Sequence, residues 1–249
     1  MKSFDVHCHF DKFEDPEKAI EDAKKHVQGV INPGTNHSTN TKVLEFSEKY
    51  KGFVFAALSI HPIEVAKLSS NEIEKELKFI EKNKDKIVAV GETGLDNFWI
   101  KKVLKGDYER EKEKQEILFR KLIRLAKVIN KPIIVHSRWS TNKVLNILKE
   151  EKAKNVVLHS FPGTADEIEE GLKLGYYFSL NPNSALLAEK VPLDKILMET
   201  DSPYMKYKGE PNSPASVEYI IEMLVRVKNV IKDEIIEQTN KNVKKVFGL

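Results

Sequence analysis

The chain has a single cysteine, Cys8, in 249 residues, so no internal disulfide can form and a reducing compartment suits it. It has no run of about 18 apolar residues, which excludes a transmembrane helix. An excess of one charge sign is also missing: 41 Lys+Arg face 38 Asp+Glu, for a net charge of +3. A strongly basic coat for nucleic acid is therefore excluded, and any polyanion must be held by a local patch. No apolar run is followed by Gly-x-Gly-x-x-Gly, so the phosphate loop of an open dinucleotide-binding sheet is absent. Low-complexity linkers, internal repeats and composition breaks are absent too, and one domain over residues 1–249 is expected. Met1-Lys2-Ser3-Phe4-Asp5 turns acidic at once and lacks the apolar stretch of a signal peptide, so the expected location is cytoplasmic, without membrane association.

Short apolar runs alternate with longer charged, amphipathic stretches along the whole chain. Eight runs read as buried strands: Phe4–Phe10, Gly29–Pro33, Phe53–His61, Ile87–Glu92, Pro132–Ser137, Asn155–Ser160, Tyr176–Leu180 and Ile196–Asp201. Several are continuous, such as Ile133-Ile134-Val135, as expected of strands covered on both faces of a parallel sheet. Between them lie helical patterns. In Gln115–Asn130 the apolar positions Ile117, Leu118, Leu122, Leu125 and Ala126 recur at helical spacing. Two further helices are expected at Ser216–Lys228 and Asp233–Phe247. Eight strand–helix units in a chain of this length close most simply into a single-domain α/β (β/α)8 TIM barrel.

Of seven histidines, five (His7, His9, His61, His136 and His159) fall at or near the C-terminal end of an expected strand. In a barrel these ends share one rim, where active sites form. His7 and His9 are two apart and point the same way, into the barrel, leaving Cys8 to pack as a thiol against the helices. Glu92 shares the phase of Val88 and Val90, His136 that of Ile134, and His159 that of Val157; Asp201 is the last inward group of its strand. One such residue alone reads as a hydrogen-bonded strand end. Six on five strand ends do not, because burying them together without a cation costs several kcal/mol. Four imidazoles and two carboxylates suit two divalent ions with one carboxylate shared; Zn, Mn or Mg match these donors. Such a pair clamps a phosphoryl oxygen and activates water.

The stretches Asp5-Val6-His7-Cys8-His9, Ser59-Ile60-His61-Pro62, Gly91-Glu92-Thr93-Gly94-Leu95-Asp96, Val135-His136-Ser137-Arg138, Leu158-His159-Ser160-Phe161 and Glu199-Thr200-Asp201-Ser202-Pro203-Tyr204 give the chain a further character. In this order, over nearly the whole length, it resembles the TatD family of metal-dependent deoxyribonucleases among the amidohydrolase-type barrels. The resemblance implies that His7, His9, Glu92, His136, His159 and Asp201 are metal ligands. Glu92 would bridge the ions, and Asp201 would also handle protons, making these two the catalytic pair. It implies a 3′-to-5′ exonuclease on single-stranded DNA. The alternative is an ester hydrolase on tRNA, since some TatD-like proteins remove D-amino acids from charged tRNA. A non-catalytic nucleic-acid-binding barrel is disfavoured by the complete ligand set. The chain departs from the family pattern at Lys208-Gly209-Glu210-Pro211-Asn212-Ser213-Pro214, where two arginines and a glutamate are replaced, at Asn97, where an aromatic is usual, and at Ser160-Phe161-Pro162-Gly163.

Other residues carry weaker expectations. His61 and Arg138 are candidate contacts to substrate phosphate, the latter because an inward guanidinium beside metals needs an anion. Asp5 and Glu199 are candidate acceptors that orient imidazoles, or else a buried polar pair. Segment Phe98–Lys105, with Phe98, Trp99, Lys101, Lys102 and Lys105, could stack a base and attract phosphate, or simply cap the barrel. His26 is expected at the surface and His37 in a loop role.

Overall fold

The computed structural model describes residues 1–104, 107–207 and 209–249; Lys105 and Lys208, named above, lie outside them. Among the described residues eight parallel strands follow one another in chain order: β1 (Ser3–Asp5), β2 (Val27–Pro33), β3 (Val54–Leu58), β4 (Ile87–Asp96), β5 (Ile133–Arg138), β6 (Val156–His159), β7 (Tyr177–Leu180) and β8 (Ile196–Met198). Each expected run overlaps one of them, although β1 and β2 begin earlier than expected, at Ser3 and Val27, and β4 and β5 run on to Asp96 and Arg138. The barrel interior takes a side chain from each strand region: Val6, Ile31, Ala57, Ala89, Ile134, Val157, Tyr177 and Leu197. Their neighbours Val90, Ile133, Val135, Val156 and Leu158 pack outwards under the helices. Two covered faces explain why these strands are apolar at consecutive positions.

The helices start where the sequence supplies caps. Asn36 and Thr39 open α2 (His37–Lys49), Ser69 and Glu72 open α3 (Ser70–Lys82), and Thr164 and Glu167 open α7 (Ala165–Lys173) with reciprocal bonds. The long helix expected from Gln115 begins earlier, at Tyr108, because Asp107 caps it, and it runs to Val128. Its buried face includes Phe119 and Ile123, while Ile117 is half exposed. Helices Val217–Lys228 and Lys232–Phe247 lie where two helices were expected, and the last seats Val243, Val246 and Phe247 against the interior residues of the barrel. Among the described residues no helix is long and apolar enough to cross a membrane.

Both strands at the seam are shorter than expected: β1 stops at Asp5 and β8 at Met198. The chain continues alongside its partner, but by an irregular set of bonds. The Val6 N–H donates to Met198 O (2.9 Å), Asp201 N–H to His7 O (2.8 Å) and His9 N–H to Ser202 O (2.7 Å). Between them the buried Asp5 carboxylate takes the backbone N–H of Thr200 (3.0 Å), its hydroxyl (2.6 Å) and the N–H of His7 (3.2 Å). A side chain thus replaces a ladder rung where the barrel closes. Burial pushes Asp5 up to about 7, against the pull of these donors. Asp5→Ala would leave the buried N–H groups of Thr200 and His7 without this acceptor and the Thr200 hydroxyl with Ser202 Oγ alone (2.7 Å). The expected loss is about 3 kcal/mol, read as a lower urea midpoint at unchanged m-value; a loss below about 1 kcal/mol would show that the seam does not depend on Asp5.

Candidate metal centre

The strand ends gather the expected residues around one carboxylate. Glu92 Oε2 lies 3.2 Å from His7 Nε2 and 3.7 Å from His9 Nε2. Its other oxygen, Oε1, lies 2.8 Å from His136 Nδ1, 3.3 Å from His61 Nε2 and 3.6 Å from His159 Nε2. Asp201 Oδ1 completes the first side, 3.6 Å from His9 Nε2 and 3.9 Å from His7 Nε2. His7 and His159 stack with ring centroids 3.7 Å apart. The Asp201 side chain is 17% exposed and Glu92 5%, so Asp201 is the carboxylate open to solvent.

Glu92 reaches this position by a route the alternation of β4 does not give. Ala89 belongs to the interior and Val90 to the outer layer, so regular alternation would carry Glu92 outwards. The pairing of β4 with β5 shifts between Val90 and Thr93, and the shift resets the phase. Glycines flank Glu92 closely: a Cβ on Gly91 would meet Ile134 Cβ at 2.6 Å, and one on Gly94 would meet His136 O at 1.9 Å. Glu92 thus points inwards as expected, but through the register shift and not through a phase shared with Val88 and Val90. Phase also breaks in the first segment, where Val6 is interior, Cys8 lies in the outer layer, and His7 and His9 both reach the cluster. Cys8 is buried, with its sulfur accepting from Ser202 Oγ (3.1 Å), and burial pushes its thiol up.

Hydrogen bonds on the far side of each ring decide which nitrogen faces the centre. His159 Nδ1 is 2.8 Å from Glu199 Oε2, an oxygen that also accepts from Ser179 Oγ, so its Nε2 is directed at Glu92. His136 Nε2 is 3.1 Å from Asp96 Oδ2, leaving Nδ1 for the centre. Asp96 also caps α4 (Asn97–Lys102) by accepting from Trp99 N–H, and its own N–H is held by the buried Gln115. The role of Asp96 was not anticipated, although an Asp two residues before a Phe-Trp pair at a helix start is a capping signal. His61 differs from the others. Its Nδ1 accepts from Ile63 N–H (3.2 Å), so the proton resides on Nε2 and is donated to Glu92. A protonated Nε2 has no lone pair to offer a metal, so in this tautomer His61 acts as a donor to Glu92, although it sits among residues that could hold an ion.

Burial opposes charge throughout the cluster, and the partners overrule it selectively. Burial alone would raise Glu92, but the fields of His61, His159 and His7 hold it well below the usual carboxylate range. Burial would lower His136 and His159, yet Asp96 and Glu92 raise the first to about 9, and Glu199 and Glu92 raise the second to about 10. Burial and the neighbouring His159 lower His7. The centre therefore collects positive charge around Glu92.

A metal fits this donor set. His7 Nε2 and His9 Nε2 face each other at 3.1 Å, and the Nδ1 atoms of both rings lack a hydrogen-bond partner among the described residues. His7, His9 and Asp201 offer ligand atoms within 4.8 Å of one another, drawn from segments at both ends of the chain. A divalent cation would satisfy these facing lone pairs together with Glu92.

The remaining candidates separate. Glu199 buttresses an imidazole as expected; Asp5 does not, being spent on Thr200 and the His7 backbone. Arg138 is exposed, with its guanidinium 3.7 Å from the Phe98 ring centroid, and among the described residues it makes no ion pair. Phe98 is thus covered on one face, and the indole nitrogen of Trp99 is buried. His37 begins α2 and bonds Glu76 at 2.7 Å, and His26 lies exposed beyond α1 (Pro16–Ala23).

An eight-stranded parallel barrel with a ring of imidazoles around a buried carboxylate on its C-terminal rim belongs to the metal-dependent hydrolase barrels. The family described as TatD related DNase matches residues 4–248, so the chain belongs to that family and is a metal-dependent hydrolase of ester bonds. Human deoxyribonuclease TATDN3 is 33% identical over 262 residues, covering 98% of this chain and 93% of the human protein. The metal-dependent hydrolase YabD of Bacillus subtilis is 34% identical, covering 99% of both chains. The crystal structure of YJJV, a TatD homolog from Escherichia coli, superposes with a TM-score of 0.87 at 29% identity, covering 99% of this chain and 98% of that one.

The buttress gives a test that needs no metal. In metal-free protein the imidazole of His159 should still be protonated at pH 8, and Glu199→Gln should lower its pKa by more than about one unit. Imidazole NMR titration reads this directly, and an unmoved His159 would remove Glu199 from the centre.

Proposed function

We propose that the chain holds two divalent ions and hydrolyses phosphodiesters as a 3′-to-5′ exonuclease on single-stranded DNA. The observation that carries this reading is the division of Glu92, with one oxygen towards His7 and His9 and the other towards His136 and His159. His7, His9, Glu92 and Asp201 would hold one ion, and Glu92, His136 and His159 the other; Zn, Mn or Mg suit these donors. When bound, the ions lower the pKa of water and stabilise charge on the phosphoryl oxygens. Asp201, the solvent-open carboxylate, accepts the proton of the attacking water. His61 would turn its Nε2–H from Glu92 to a phosphate oxygen when substrate binds. Arg138 supplies a guanidinium that no carboxylate neutralises among the described residues, whereas Arg120 and Arg124 are engaged by Glu150 and Glu151. The deoxyribonuclease name of the human relative and the family description support DNA as substrate; polarity and strand preference follow the family resemblance.

A metal-replete panel of single-stranded DNA, duplex DNA, RNA and a D-aminoacyl-tRNA tests the reading. Fastest turnover is expected on single-stranded DNA, released from the 3′ end; cleavage of the tRNA ester with none of DNA would replace it. Glu92→Gln keeps the shape but loses the shared charge, so elemental analysis should find at least one ion lost; two tightly held ions would contradict the assignment. Asp201→Asn should lower kcat by roughly 10²-fold or more while leaving KM nearly unchanged. Arg138→Ala should act on anionic substrates and spare a small neutral ester. Equal, small losses on both would remove Arg138 from the site.

A further inference from the structure

Beside the metal-type cluster stands a large aromatic side chain with no role so far. Trp139 directly follows Arg138 at the end of β5 and is 56% exposed. Its backbone adopts φ +55°, a left-handed conformation that bulky residues rarely take. The turn that presents it is tied down twice to the junction of β4 and α4: Asn97 Nδ2 donates to Trp139 O (3.0 Å), and Ser140 Oγ donates to Leu95 O (2.8 Å). The indole meets Phe98 at right angles, with centroids 4.9 Å apart, while the Arg138 guanidinium lies over Phe98. Trp139, Phe98 and Arg138 thus form one array, with Arg138 two and Trp139 three residues beyond His136. Tyr204, another exposed aromatic at this end of the barrel, packs against His9 instead and belongs to the wall of the cluster.

A half-exposed indole on a tied turn, next to a guanidinium without an ion pair among the described residues, is a surface for a flat group attached to a phosphate. An unstacked nucleobase has that form, because its π-face stacks on an aromatic ring while its backbone phosphate meets Arg. A base within duplex DNA is already stacked on its neighbours and is less free to use the surface. We infer that Trp139 is the platform on which a base flanking the scissile phosphate lies, so that the site grips a base as well as a phosphate. This rests on the nuclease reading above and adds to it a preference for planar bases, with purines held more tightly than pyrimidines. The base-stacking surface expected of Phe98 and Trp99 is thereby reassigned: Phe98 serves as the support, and Trp139 is the face that remains open.

The test uses metal-loaded enzyme and single strands whose last two 3′ nucleotides carry adenine or the non-planar base 5,6-dihydrothymine. Trp139→Ala should raise KM for the adenine strand by about tenfold, with the effect on KM and not on kcat, and Trp139→Phe should recover most of it. On the dihydrothymine strand wild type should already show the high KM, and Trp139→Ala should add less than about twofold. Equal KM values for wild type and Trp139→Ala on the adenine strand would overturn the inference, as would an equal rise on both strands. Binding gives a second readout. The chain has two tryptophans, so Trp99→Phe leaves Trp139 as the sole tryptophan, which is excited selectively over the tyrosines at the red edge of absorption. The adenine strand should quench its emission in metal-free protein more strongly than the dihydrothymine strand; equal or absent quenching overturns the platform. If no strand is cleaved by wild type, the nuclease reading fails, and the quenching experiment alone decides the platform.

Discussion

The structure depends on keeping one carboxylate ionised inside a barrel. Glu92 is almost fully buried, and an isolated charge there would be too costly to persist. It is sustained by five imidazoles that approach both of its oxygens from different strand ends. Each imidazole is in turn a buried polar group in need of partners. The centre is therefore mutually dependent: without a cation, protonated His136 and His159 stand beside the Glu92 anion, and a divalent cation would instead meet lone pairs of the rings. This explains why so many titratable groups occupy a region from which a packed core would exclude them.

A second layer sets the direction of each ring. Glu199 and Asp96 hold the outer nitrogens of His159 and His136, and the backbone N–H of Ile63 holds that of His61. In the first two cases the proton is drawn away from the centre; in the third it is left pointing into it. Three imidazoles of similar sequence context thereby acquire two different chemical characters. The holders are themselves held: Ser179 bonds Glu199, and Gln115 bonds the backbone of Asp96 while its amide reaches Pro62 O. The long helix α5 (Tyr108–Val128) thus contributes to the centre without placing a residue in it.

Barrel closure and the centre share a short stretch of chain. Asp5 bonds Thr200, which stands between Glu199 and Asp201, and it also bonds the backbone of His7. Asn212 reaches Thr200 O and Tyr204 O from the loop that departs from the family pattern. The seam is where first and last strands meet, so a chain-length separation of nearly two hundred residues is bridged by one buried carboxylate. Stability at the seam and ligand placement are consequently the same structural problem.

The sequence by itself determined the eight strands, their parallel order and the set of rings and carboxylates at their ends. Continuous apolar runs arise from burial on both faces, and polar groups at the end of such runs are too costly to be accidental. Local pattern also sufficed for the capped helices, since a cap and its partner lie three residues apart. What only the tertiary structure decided involves partners distant in sequence. The inward turn of Glu92 comes from a register shift against β5, which alternation within β4 cannot reveal. Asp96 and Glu199 became ring supports because His136 and His159 arrive 40 residues away along the chain. The different tautomer of His61 rests on a backbone N–H whose direction depends on the turn after β3. Trp139 and Arg138 faced Phe98 only once the ends of β4 and β5 were neighbours. Residue type and local spacing reflect the environment a side chain must have, whereas register and contact geometry determine which partner provides it.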